Sequence, residues 1–150
     1  QVLFDPNDVI EVALGVYEYL KTEPVLIEDV PFGVTIVGDL HGQLHDLQRV
    51  FYRHAKDGKP GYECAKYLFL GSYVDKGQQS IEVVMALFCL KMLYPDNFFF
   101  LRGNHEFYNI NMGEGFFWEL LDRYLPETAE AVFWAVNDTF GFLSIAAIVG

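Results

Sequence analysis

At 150 residues the chain has the size of one ordinary domain, and with 52% hydrophobic and 17% aromatic residues it must fold around a packed core rather than stay disordered. A formal net charge of −11 argues against nucleic acid or an anionic membrane as a partner, because both require a basic footprint. Two cysteines in unrelated contexts, Cys64 and Cys89, exclude a disulfide framework and a thiolate metal site, and no apolar run approaches the roughly 18 residues of a membrane span.

In chain order, Asp5-Pro6-Asn7-Asp8 supplies cap formers ahead of Val9, Val12, Ala13, Val16 and Leu20, whose spacing predicts one apolar helical face that ends before Pro24. Glu28, Asp29 and Pro31 read as a turn before the first strand. The strand itself is Val34-Thr35-Ile36-Val37, a β-branched run stopped by Gly38. Beyond Gly42, the positions Leu44, Leu47, Val50 and Phe51 return to helical spacing, with Asp46, Gln48, Arg49 and Arg53 facing away. Lys56 to Gly61 reads as a solvated loop. Tyr67-Leu68-Phe69-Leu70 and Gly71 form a second strand with a second glycine stop, and a helix from Ser80 to Tyr94 ends at Pro95. Phe98-Phe99-Phe100-Leu101 is a third short strand. Helical segments follow at Phe116 to Tyr124 and from Pro126, and a final strand is expected from Phe140. Cys89 reads as core.

Alternation of strand and helix predicts an α/β fold with βαβ units and a largely parallel, two-sided sheet. A single domain over 1–150 is expected, without repeats or a second domain. The start at Gln1 and the stop at Gly150 after an apolar run suggest part of a longer protein.

Each strand ends in a loop that mixes glycine with metal-capable or acid–base side chains. The first carries Asp39 and His41, the second Asp75 and Lys76, the third Asn104, His105 and Glu106. Parallel neighbours deliver such loops to one edge, where open α/β sheets bind ligands. In isolation the Asp39–His41 pair reads equally well as a helix cap with a histidine beside it; the recurrence carries the case for a site. Carboxylate, imidazole and amide donors without thiolate suit Mn, Fe or Zn. His45, four residues after His41, reads as a surface position, His54 and Arg53 as a solvated face, and Arg102 as a structural ion-pair partner.

The blocks Gly38-Asp39-Leu40-His41-Gly42-Gln43, Gly71-Ser72-Tyr73-Val74-Asp75-Lys76-Gly77 and Leu101-Arg102-Gly103-Asn104-His105-Glu106 resemble the three signature blocks of the phosphoprotein phosphatases, the dinuclear-metal serine/threonine phosphatases, and most of all their type-1 members. The resemblance implies the calcineurin-like metallophosphoesterase fold, here its N-terminal βαβαβ part and therefore incomplete. It implies that Asp39 and His41 bind one divalent ion (Mn, Fe or Zn) and Asn104 a second, that His105 is the general acid oriented by Asp75, and that Lys76 holds substrate phosphate. Paired ions would make water nucleophilic at neutral pH and clamp the phosphoryl oxygens. Phosphoprotein substrates, regulatory subunits and a cytoplasmic or nuclear location follow from the same resemblance.

Two positions depart from the family pattern. Ser72 stands where the family has the aspartate that bridges both metals, and Lys76 where it has an arginine. Serine removes an anionic ligand from both ions at once, and lysine replaces a planar fork with a point charge. A weakened phosphatase and an inactive pseudophosphatase that binds phosphoproteins or regulators are the two readings this leaves. A nuclease of the wider superfamily is disfavoured by the acidic balance.

Overall fold

The computed structural model describes residues 2–150. Three strands, β2 (Thr35–Val37), β3 (Tyr67–Phe69) and β4 (Phe98–Phe100), form a parallel sheet in that order, paired Thr35 to Tyr67 and Tyr67 to Phe98. The connections are α2 (Leu44–Arg53) with the one-turn α3 (Gly61–Cys64), and then α4 (Ser80–Leu93). This is the βαβαβ order expected, with each strand a residue or so shorter than its apolar run.

The two sides of the sheet are covered differently. Tyr67, Phe69, Phe98 and Phe100 are buried in one core with the apolar stripes of α1 (Pro6–Leu20), α4, α6 (Phe116–Leu121) and α7 (Pro126–Phe140). Asp5 caps α1 by accepting from the Asn7 N–H at 2.8 Å. Helix α4 lies so deep that Ile81, Val83, Val84, Leu87 and Phe88 are all buried, which explains why its sequence is apolar on nearly every side. On the second side Leu68 is buried against Ile27 and Val30, while Ile36 remains 58% exposed.

Ile27 and Val30 belong to an unexpected strand, β1 (Leu26–Val30), which pairs in parallel with β5 (Ala146–Val149) as a separate two-stranded sheet. Glu28 and Asp29 occupy exposed positions between two buried ones, so what reads as a turn is a strand with one side in water. The final strand also starts later than expected. Val132, Phe133, Val136 and Phe140 continue a helical period, so α7 runs through Phe140 and β5 begins only at Ala146. The two sheets meet where Leu101, at the end of β4, bridges to Ser144. Cys89 is half-buried rather than core. His54 is also half-buried, with Nε2 3.2 Å from Thr35 Oγ1 and its ring edge-on to Tyr67, so it is no solvated face.

The start of α4 is held from outside the helix. No side chain of Gln79 caps it; Glu119 on α6 accepts from the Ser80 and Ile81 N–H groups at 2.8 and 3.1 Å, supplying the negative charge that a helix N-terminus favours. Arg123 binds Glu119 Oε1 and Glu82 Oε2, each at 2.8 Å. This buried cluster fixes the helix that follows the Lys76 loop. No helix among the described residues is long and apolar enough to cross a membrane.

Candidate functional site

The loops after β2, β3 and β4 are laced together by their backbones. The Leu40 and His41 N–H groups donate to the Ser72 carbonyl at 3.0 and 2.9 Å, and the Gly42 N–H donates to the Tyr73 carbonyl at 2.9 Å. Glu106 ties in the third loop: its carboxylate accepts from the Ser72, Tyr73 and Gly103 N–H groups at 2.8, 2.8 and 2.9 Å. Burial pushes the Glu106 carboxyl up, and the three N–H donors pull it partly back. Gly71, with φ +106°, and Gly103 pass so close that a Cβ on Gly71 would collide with the Gly103 backbone.

Backbone strain is concentrated at this edge. His41, Ser72, Asp75 and Lys76 all have positive φ, at 44°, 55°, 72° and 64°, and among the described non-glycine residues Asp57 alone joins them. Such conformations persist where surrounding contacts over-determine them, and they cluster at functional sites. Four in one pair of loops mark the edge independently of any motif.

Two histidines meet here, ring centroids 4.7 Å apart and edge-on. His105 is buried, and its Nδ1–H donates to Asp75 Oδ2 at 2.6 Å; Asp75, fully buried, also accepts from the Phe116 N–H through Oδ1 at 2.9 Å. The Asn111 amide donates to the His105 carbonyl at 2.9 Å and to Asn137 Oδ1 at 2.8 Å, fixing the backbone beneath the imidazole. His41 Nδ1 lies 2.9 Å from the Val74 carbonyl. A carbonyl only accepts, so Nδ1 carries the hydrogen and neutral His41 presents a lone pair on Nε2. That lone pair faces Asp39 Oδ2 at 3.3 Å and Lys76 Nζ at 3.4 Å.

With Nε2 unprotonated, two acceptor atoms converge at this distance, and a cation between or beside them would satisfy both. Asp39 and His41 therefore fit one divalent ion, with the Val74 carbonyl fixing the imidazole in the manner typical of a metal-ligating histidine. A second ion is fitted less well. Divalent ions a few ångströms apart need a shared anion. Ser72, at the point where the loops cross, is buried and brings no carboxylate. Asn104 lies on the 3-10 turn Asn104–Glu106, exposed, and among the described residues no hydrogen bond joins its side chain to the other candidate ligands. No cluster of three or more His, Cys, Asp and Glu that could hold a metal occurs among the described residues.

The sequence-predicted set is thus largely brought together: Asp39 and Lys76 each beside His41 Nε2, His105 and Asp75 paired next to them, Ser72 at the crossing. Sequence reasoning names Glu106 with the third loop but gives it no role; the structure makes it the knot of the three loops. Among the described residues Arg102 forms no ion pair with a carboxylate. Its Nε–H donates to the Glu106 carbonyl at 3.1 Å, and its guanidinium lies 3.8 Å from the centroid of the Phe107 ring. His45 is exposed, as expected.

The chain is similar to known proteins. The chain is 40% identical over 150 residues to serine/threonine-protein phosphatase T of Trypanosoma brucei brucei, covering 98% of this chain and 30% of that protein. It is also 40% identical over 131 residues to serine/threonine-protein phosphatase PP1-delta of Caenorhabditis elegans, covering 87% and 38%. A Saccharomyces cerevisiae protein serine/threonine phosphatase structure, described as similar to human phosphatase PP5, superposes with a TM-score of 0.85 at 30% identity, over 98% of this chain and 46% of that one. The chain therefore spans less than half the length of these relatives. The family described as calcineurin-like phosphoesterase matches residues 32–150, which begin just before β2 and take in all three loops, and it is to this family that the chain belongs.

Proposed function

We propose that the protein of which this chain forms part is a divalent-metal-dependent protein serine/threonine phosphatase, hydrolysing phosphoserine and phosphothreonine in proteins. The observation that carries this reading is the buried Asp75–His105 pair, 2.6 Å apart, set against the cation-seeking Asp39–His41 pair through rings 4.7 Å apart. One half delivers a proton and the other holds positive charge. The names of the similar proteins agree with it.

In this reading Asp39 and His41 would hold one ion and Asn104 would contribute to a second, and bound ions would supply charge stabilisation and water activation. Lys76 holds a phosphoryl oxygen. His105, its Nδ1–H engaged by Asp75, carries a proton on Nε2 and gives it to the departing seryl or threonyl oxygen; Asp75 stabilises the imidazolium and keeps the ring in place. Phosphate-monoester hydrolysis is among the slowest uncatalysed reactions, needing up to about 10²¹-fold acceleration, so charge stabilisation is the larger requirement.

Ser72 favours a second reading, a pseudophosphatase that binds phosphoproteins or regulatory subunits without turnover. Both are tested on the intact protein with Mn²⁺ and a phosphoserine peptide, comparing wild type with Ser72→Asp. A weakened phosphatase shows measurable turnover that Ser72→Asp raises, with metal affinity rising about 10–100-fold. Turnover absent in wild type and restored by Ser72→Asp identifies the pseudophosphatase. Turnover and metal content both unmoved by Ser72→Asp would refute the role given to position 72.

A further inference from the structure

The end of α4 wears its side chains inside out. Lys91 is 1% exposed, while the two residues after it, Met92 and Leu93, are 47% and 69% exposed. The cause is local. Lys91 Nζ pairs with Glu23 Oε1 and donates to the Phe98 carbonyl, each at 2.6 Å, and lies 5.1 Å from the centroid of the Tyr19 ring on α1. A buried ammonium is tolerated only where it is paired and hydrogen-bonded, so these contacts fix how α4 is turned and how its end sits against α1. Met92 and Leu93 are left facing outward, beside α1. Between the two helices runs an open groove of about 570 Å³. Val12, Gly15, Met92 and Leu93 make it apolar, and Asp8 and Glu11, both exposed, stand on its α1 side. Among the described residues no lysine or arginine lines it. Gly15 keeps it open, since a Cβ there would already stand 3.7 Å from Met92 Cε and a longer side chain would fill the gap.

We propose that the α1–α4 groove is a docking site for a basic amphipathic segment of a partner protein, whose apolar side chains seat on Val12, Met92 and Leu93 and whose lysines or arginines face Asp8 and Glu11. Charge selects this occupant. Carboxylates along one side of an apolar strip complement a segment with an apolar face and a basic one, and they repel acidic segments and anionic lipid. Methionine suits such a floor because its flexible thioether adapts to varied apolar shapes. The groove is formed before the partner arrives, since the Lys91 contacts already set its two walls, so little ordering is needed on binding. None of the residues in the loops after β2, β3 and β4 lines it, and the proposal stands whether or not the protein turns over phosphopeptides.

The test is fluorescence anisotropy on the intact protein with a labelled peptide of leucine and lysine, patterned so that one helical face is apolar and the other basic. Leu93→Glu, at a position already in water and so without cost to the fold, should weaken binding by about tenfold or more. Asp8→Lys with Glu11→Lys should weaken it about three- to tenfold, and a peptide with glutamate in place of lysine should not bind. Glu127→Lys with Glu130→Lys changes the net charge by the same amount on α7, outside the groove, and should alter binding less than about twofold. Equal weakening by the two double variants means attraction to the overall charge of −11 and overturns the proposal. Absence of binding, or binding that Leu93→Glu leaves unchanged, overturns it as well. Self-association in sedimentation that Leu93→Glu abolishes gives the groove to a second copy of the protein, and again the proposal falls.

Discussion

His41 and His105 are the same side chain in the same tautomer, 4.7 Å apart, and the acceptor behind each assigns it a different task. His105 is backed by a carboxylate at 2.6 Å; His41 is backed by a carbonyl at 2.9 Å, which fixes the ring's orientation and turns Nε2 toward Asp39. Their surroundings differ in the same sense. The Asp75 side chain is 0% exposed and twice bonded, whereas the Asp39 side chain is 66% exposed and lies 3.3 Å from His41 Nε2. In the proposed reading, acid–base chemistry falls where the protein excludes water, and the cation seat falls where an ion can arrive.

The largest expected effect breaks the buried half. Asp75→Asn in the intact protein leaves an amide behind His105, and phosphopeptide turnover should fall by about 10²–10⁴ while bound Mn²⁺ stays unchanged. His41→Ala should do the converse, with the metal lost and the His105 ring still in place by NMR. If Asp75→Asn removed the metal as well, the two halves would not be separate.

A second substitution, Glu106→Gln, addresses what holds the halves in register. It replaces an acceptor of three backbone N–H groups with a side chain that offers one acceptor oxygen, and should cost about 2–4 kcal/mol in a denaturant titration. A loss under about 0.5 kcal/mol would make the knot dispensable.

The smallest effect lies away from the site, in the cluster that anchors α4. Burial raises the Glu82 carboxyl, but the hydrogen bonds and charge of Arg123 and the Val2 N–H outweigh it, so its pKa is lowered from the ordinary 4.5. A lowered carboxylate contributes stability that is present above 4.5 and is lost as pH falls through the depressed folded value. Arg123→Met should therefore flatten the acid limb of stability against pH below 4.5, read by thermal melts, and leave the Asp75–His105 half untouched.

Sequence reasoning reaches the parts of this molecule that rest on short-range pattern. The strands β2, β3 and β4 are legible because each is an apolar run that ends at a glycine or in a glycine-containing loop, and α1 and α4 because caps and prolines bound a periodic segment. β1 is not legible, since Glu28 and Asp29 disguise a half-exposed strand whose partner lies at the far end of the chain. Most of the site residues are legible as loop composition. The Glu106 knot and the Lys76–His41 contact are not: the first depends on amides more than 30 residues away, the second on left-handed backbone at both residues.

The positive φ of Ser72 carries one more consequence. At 55° its backbone lies in a region that β-branched and bulky side chains resist, but that asparagine and aspartate enter more readily than most. The scaffold thus restricts drift at this point to a narrow group of small polar residues. An aspartate at position 72 therefore meets less backbone strain than a branched residue would.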